Sequence, residues 1–313
     1  MNKRITISFA VLFAFLSANV FSQGFNSIHT PDGVNIIAVG NLGKIYRSTN
    51  SGSTWSSYTS SSDNLRSVYS FGNDVWITGS TGNVYKTSKL NSAISPYNVG
   101  SSIVLNSVYF VNSNIGYACG NGGNLYKSID GGLTWTASAS GISAVDLNSV
   151  SFLDDNKGIT VGKNGAVFTT VNGGSSWNPE PVLTTRNLLD VKYYADGIVA
   201  VGEYGVILTK DNSSAWTSVL TRTDSDIRGV TGSGLNNSRV CGGGGFIRNN
   251  LNSRSNFFNF EVNPMMANLT DIFYYDANNG FAVSSLNYAI IRTTNAGQSW
   301  ELPSGSSVTY SWV

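Results

Sequence analysis

Ser128-Ile-Asp-Gly-Gly-Leu-Thr-Trp135 decides the architecture of this chain, because it returns as Ser48-Thr-Asn-Ser-Gly-Ser-Thr-Trp55, Thr170-Val-Asn-Gly-Gly-Ser-Ser-Trp177 and Thr293-Thr-Asn-Ala-Gly-Gln-Ser-Trp300. About twenty residues before each copy runs a short apolar stretch, and its last aliphatic residue falls at Ile28, Val68, Val108, Val150, Val191, Val230 and Ile272. These positions are 40, 40, 42, 41, 39 and 42 residues apart, so the chain holds seven repeats. A fixed period of this length is the signature of a repeat fold.

The third repeat shows the unit most cleanly. Leu105-Asn-Ser-Val-Tyr-Phe-Val111 is followed by a turn, Gly116-Tyr-Ala-Cys-Gly120 by a Gly-rich turn, and Asn124-Leu-Tyr-Lys-Ser128 by the box, after which Trp135-Thr-Ala-Ser138 ends the unit. Short runs rich in β-branched and aromatic residues, punctuated by Gly and Asn, read as strands. Four strands in about 40 residues make one propeller blade, and seven blades close into a ring. The expected fold is therefore an all-β, seven-bladed propeller of four-stranded blades, closed near the two chain ends. Within the box, the Asp or Asn is expected to bond backbone amides two residues on, Gly to supply positive φ, and Trp to bury its ring between blades. The fifth repeat keeps a shortened box, Lys210 to Trp216, whereas repeats two (Thr87-Ser-Lys-Leu90) and six (Asn250 to Phe257) have lost most of it.

Met1 to Gln23 reads as a secretory signal, with Lys3 and Arg4 before an apolar run from Ile5 to Leu16 and Val20-Phe-Ser22 as the cleavage site. The reading is thus a signal over 1–22 and a single domain over 23–313. An apolar run of 12 residues is short for a bilayer span of roughly 20, so no integral span is expected after cleavage. The expected location is secreted, in the periplasm or at the exterior of a bacterium. Net charge is +1 and 12% of residues are charged, which disfavours a nucleic-acid partner. Tyr310-Ser-Trp-Val313 arrives at the register of a further inner strand and competes with Phe25-Asn-Ser-Ile28 for blade one. Both ends are expected there, with the innermost strand left open.

The box resembles the Asp-box of bacterial neuraminidase repeats, and the whole repeat is similar to that of photosystem II stability and assembly factor-like propellers, over nearly all of residues 25–303. Kinship with neuraminidases would imply three arginines clamping a carboxylate, a Tyr nucleophile with a Glu partner, and an Asp acid. No Phe/Tyr-Arg-Ile-Pro segment is present, so no residue can be matched to that set, and Glu is limited to Glu180, Glu203, Glu261 and Glu301. No catalytic residue, cofactor or metal is assigned. His29 is the only His, and Asp154 to Gly158 and Asp276 to Gly280, though oxygen-rich, occupy turns that Asn112 to Asn114 makes elsewhere.

Scaffold demands repeat in every blade, so departures from the consensus point to recognition. Between second and third strands the variable pair reads Asn41-Leu42, Ser80-Thr81, Asn121-Gly122, Lys163-Asn164, Glu203-Tyr204, Gly243-Gly244 and Ser285-Leu286. Lys163, Glu203 and Tyr204 stand out. The second residue of the inner strand reads Asn26, Arg66, Asn106, Asn148, Leu189, Arg228 and Thr270. Arg66 and Arg228 stand out there, with Arg186 and Arg222 in neighbouring connections. The candidate binding face is thus Arg66, Arg228, Arg222, Arg186, Lys163, Glu203 and Tyr204, presented to a protein partner by a non-enzymatic ring. The alternative is a carbohydrate-binding or glycoside-cleaving propeller that stacks Tyr and Trp on sugars. Cys119 and Cys241 occupy the second-strand position of Val39, Val161 and Val201, in blades on nearly opposite sides of the ring, so two buried free thiols are expected.

Overall fold

The computed structural model describes residues 24–89, 93–181, 183–212, 215–221, 223–249, 268–286 and 288–303. These form seven antiparallel sheets, one per repeat, each ordered from its first strand outward. Five sheets have four strands, and those beginning at Ile227 and Leu269 show three among the described residues. A bridge from Arg292 to Glu301 continues the last of them outward. The described residues contain no α-helix, only six three-residue 3₁₀ turns. No helix among them is long and apolar enough to cross a membrane. Residues 1–22 and Tyr310 to Val313 lie outside the described residues, as do residues 250–267, which carry the sixth box.

The aliphatic residues that set the sequence period are all buried on inner strands, from Val191 at 0% exposure to Val68 and Val108 at 4%. Every inner strand also begins with a fully buried residue: Phe25, Leu65, Leu105, Leu147, Leu188, Ile227 and Leu269. Between that residue and the third, the pairing register slips in all seven sheets. A bulge re-aims the residue it displaces. The second residue is therefore turned toward the mouth of the central channel, while the third and fifth face the channel itself.

The boxes make the expected turn with a different division of labour. Ser128 Oγ, rather than the acidic residue, accepts from the N–H two residues on and again from Gly132 N–H at 2.8 Å. Asp130 reaches further, accepting from Leu133 and Thr134 N–H and from the Thr134 hydroxyl. The Thr134 bonds hold its carboxyl down to about 2. Asp154 and Asp276 likewise accept two backbone N–H groups each within their turns, as Asn112 does.

Aromatic residues join adjacent blades. Trp76 of blade two stacks on Phe110 of blade three at 3.5 Å, and Trp135 meets Phe110 edge-on at 5.9 Å. One blade later Tyr117, Phe152 and Trp177 repeat the arrangement at 3.8 and 5.9 Å. Close packing leaves no room behind these rings: a Cβ on Gly116 or Gly158 would lie 2.4 Å from Phe110 or Phe152.

Cys119 and Cys241 are buried and free, paired in their sheets opposite Ser107 and Gly229 as the alignment requires. Burial pushes the Cys119 thiol up to about 12 and the Cys241 thiol well above its usual range. A buried thiol without thiolate character is inert. Both should resist alkylation in the folded protein and react in denaturant without reductant; an oxidised species that yields thiols only on reduction would contradict the blade assignment.

Candidate functional site

The ring leaves a channel along its axis, and the residues facing it come in layers. At the mouth, most second-position side chains latch blades together. Asn26 Nδ2 donates to Leu65 carbonyl oxygen at 2.7 Å, Asn106 to Leu147 at 2.8 Å and Asn148 to Leu188 at 2.7 Å. Thr270 Oγ1 does the same for Phe25 at 2.8 Å, so blade seven meets blade one through the latch used inside the ring. Among the described residues Phe25–His29 is the innermost strand of blade one, and it is the strand that blade seven meets. Arg66, Leu189 and Arg228 stand where the other blades have a latch.

Arg66 and Arg228 line the same upper chamber of the channel, a cavity of about 120 Å³. Arg228 Nη2 pairs with Asp226 Oδ2 at 2.9 Å, both groups substantially exposed. Arg66 is exposed and forms no ion pair among the described residues.

Outside the mouth, the loop candidates of blades four and five form a chain of contacts. The Arg186 guanidinium lies 4.2 Å from the centre of the Tyr204 ring. Tyr204 N–H donates to Asp226 Oδ1, and Asp226 holds Arg228. Tyr204 is exposed and sits at φ 54°, a left-handed conformation that favours Gly and that Gly122 and Gly244 supply in other blades. Glu203 is engaged by Asn187 Nδ2 at 2.9 Å and Lys163 by Asp146 at 2.6 Å, an exposed pair of small energetic weight. Arg222 lies outside the described residues.

Asp226 belongs to a set that single-repeat reading missed. Before five of the seven inner strands the preceding residue caps the turn of the preceding blade: besides Asp226, Asn64 accepts from Leu42 N–H, Asp146 from Gly122, Asn187 from Asn164 and Asn268 from Gly244. Its signal was present as Asn or Asp one place before five of the inner strands.

Deeper in the channel, the third residues read Ser27, Ser67, Ser107, Ser149, Asp190, Gly229 and Asp271. Ser27 and Ser67 accept the N–H of Val68 and Val108 in the next blade. Asp190 and Asp271 accept those of Val230 and Ile28, each at 2.9 Å. Burial, with the Asp190 charge nearby, raises Asp271 to about 6. The fifth residues read His29, Tyr69, Tyr109, Ser151, Lys192, Thr231 and Phe273. His29 Nδ1 accepts from Ser70 N–H at 3.2 Å, which places the ring proton on Nε2. Burial, reinforced by Lys192, depresses His29 to about 3. Period-two alternation along the inner strand would have exposed both layers in the sequence.

Residues 24–167 match the family model described as photosynthesis system II assembly factor YCF48. In that part the chain resembles the Asp-box propellers of the photosystem II assembly factors. Among solved structures, "YCF48 bound to D1 peptide" is 17% identical, with a TM-score of 0.72 over 88% of this chain and 93% of that one. YCF48 from Cyanidioschyzon merolae is 16% identical, at 0.69 over 88% and 96%. The GH74 enzyme of Niastella koreensis is 14% identical, at 0.72 over 91% of this chain and 54% of its own. At these identities the structural likeness is one of fold. No curated protein matches the chain.

Proposed function

We propose that this chain is a secreted, non-enzymatic propeller that binds a partner protein through the face around the channel mouth, serving as an assembly factor or accessory subunit of an envelope complex. The observation that carries the reading is the charge that replaces the latch in two of the three blades that lack it: folding supplies an Asn or Thr at this position in four blades, blade five has Leu189, and Arg66 and Arg228 stand there in blades two and six where a partner can reach them. Arg186 and Tyr204 extend this face outward with an exposed ring and a further guanidinium, the side chains that anchor protein interfaces. An acidic, extended segment of the partner is the complementary chemistry. The family match and the similar structure bound to a D1 peptide support protein binding as the function of this kind of ring.

Replacing Arg66 and Arg228 together by Glu should leave the thermal midpoint nearly unchanged, because surface substitutions change stability by under about 0.5 kcal/mol each. Recovery of the partner from native envelopes should fall by about tenfold or more, as charge reversal at a complementary face does. Undiminished recovery would return both arginines to solvated surface charges, and recovery of the protein alone in every extract would remove the reading itself.

A further inference from the structure

Below the fifth-residue layer, on the face that carries the boxes, the channel opens into a second chamber of about 430 Å³, within the range of small-ligand sites. Its wall is divided by chemistry. On blades seven, one, two and three stand Phe273, His29, Tyr69 and Tyr109, a continuous arc with ring centres 4.2, 4.6 and 4.9 Å apart. His29 is neutral at physiological pH, so this side carries no charge.

On blades four, five and six the same layer presents Ser151, Lys192 and Thr231. Ser151 Oγ accepts Tyr193 N–H at 3.1 Å and Thr231 Oγ1 accepts Tyr274 N–H at 3.3 Å. Each hydroxyl therefore spends acceptor capacity on the backbone and keeps its proton to donate. Both residues are at least 97% buried. Between them Lys192, half-buried, forms no ion pair or hydrogen bond among the described residues. Asp190 and Asp271 stand one layer deeper with oxygens already accepting backbone N–H groups.

Three donors facing an aromatic arc define the complement of this chamber. We infer that it binds a small carboxylate with a flat apolar body, the acid group toward Ser151, Lys192 and Thr231 and the body against His29, Tyr69, Tyr109 and Phe273. Planar apolar groups favour offset or edge contacts with such rings, and an ammonium beside two hydroxyl donors suits a carboxylate better than a neutral acceptor. This site lies on the opposite face from Arg66 and Arg228 and is independent of the partner-binding face.

Calorimetric titration of the mature protein with 3-phenylpropionate and with 3-phenylpropionamide tests this without altering the chain. The acid should bind and the amide should bind at least about tenfold more weakly, the loss expected for a charge-assisted hydrogen bond. Lys192→Met, which keeps the aliphatic stem, and Thr231→Val, an independent change on the same wall, should each weaken the acid, while Arg66→Glu should not. Equal binding of acid and amide, acid binding that survives Lys192→Met in a folded variant, or no heat with the acid at tens of millimolar would each overturn the inference.

Discussion

Phe152→Ala should lower the unfolding free energy by about 3–5 kcal/mol, the range for removing a buried aromatic ring. Phe152 is 1% exposed, stacks on Tyr117 at 3.8 Å and receives the edge of Trp177 at 5.9 Å. The loss combines apolar transfer, a cavity, the stack with Tyr117 across the boundary to blade three and the edge contact with Trp177 inside blade four. Little relief is available, because Gly158 packs its backbone directly against the ring and a Cβ there would already lie 2.4 Å away. Urea unfolding of the variant measures the loss. Exposed Val171, in the adjacent box, provides the contrast: its replacement by Ala should change stability by under about 0.5 kcal/mol. A Phe152→Ala loss as small as that would mean the aromatic series does not hold the blades together.

The second large effect is in the pH dependence of stability. His29 falls from 6.5 to about 3 on folding, so between those values the unfolded chain holds the extra proton and stability drops as pH falls. Asp271 rises from 3.8 to about 6, so between those values the folded chain holds the extra proton and stability climbs as pH falls. In the shared window the two slopes oppose each other, and together they contribute almost no net dependence. Removing His29 uncovers the Asp271 slope. Relative to the unaltered protein, His29→Gln should gain about 3 kcal/mol of stability as pH falls from 6.5 to about 4, at about 1.4 kcal/mol per pH unit. Urea unfolding of both proteins across this range provides the comparison. A stability difference that stays constant with pH would show that His29 titrates normally in the fold.

Local chemistry made much of the architecture legible. Each blade folds from contacts within about forty consecutive residues, so strand period, turn residues and the returning Trp sufficed to count seven blades and to place Cys119 and Cys241 in second strands. Single-blade departures also brought out Arg66, Arg228 and Tyr204. Less legible was the work done by the residues around them. Asn26, Asn106 and Asn148 read as one more column of an alignment until their amides were seen to hold the next blade, and Asp226 was missed although it ties Tyr204 to Arg228.

By itself the sequence determined the repeat, the number of blades and which residue of each inner strand breaks the pattern, because those properties follow from periodicity along one chain. Only the closed ring decided that His29 and Phe273, 244 residues apart, share an aromatic wall, that Lys192 faces them from across the channel, and that Asp271 serves Ile28 as a neighbour. Such contacts join residues whose separation in sequence carries no period. Their partners are set by the order in which blades pack and by the bulge that turns each inner strand toward the axis.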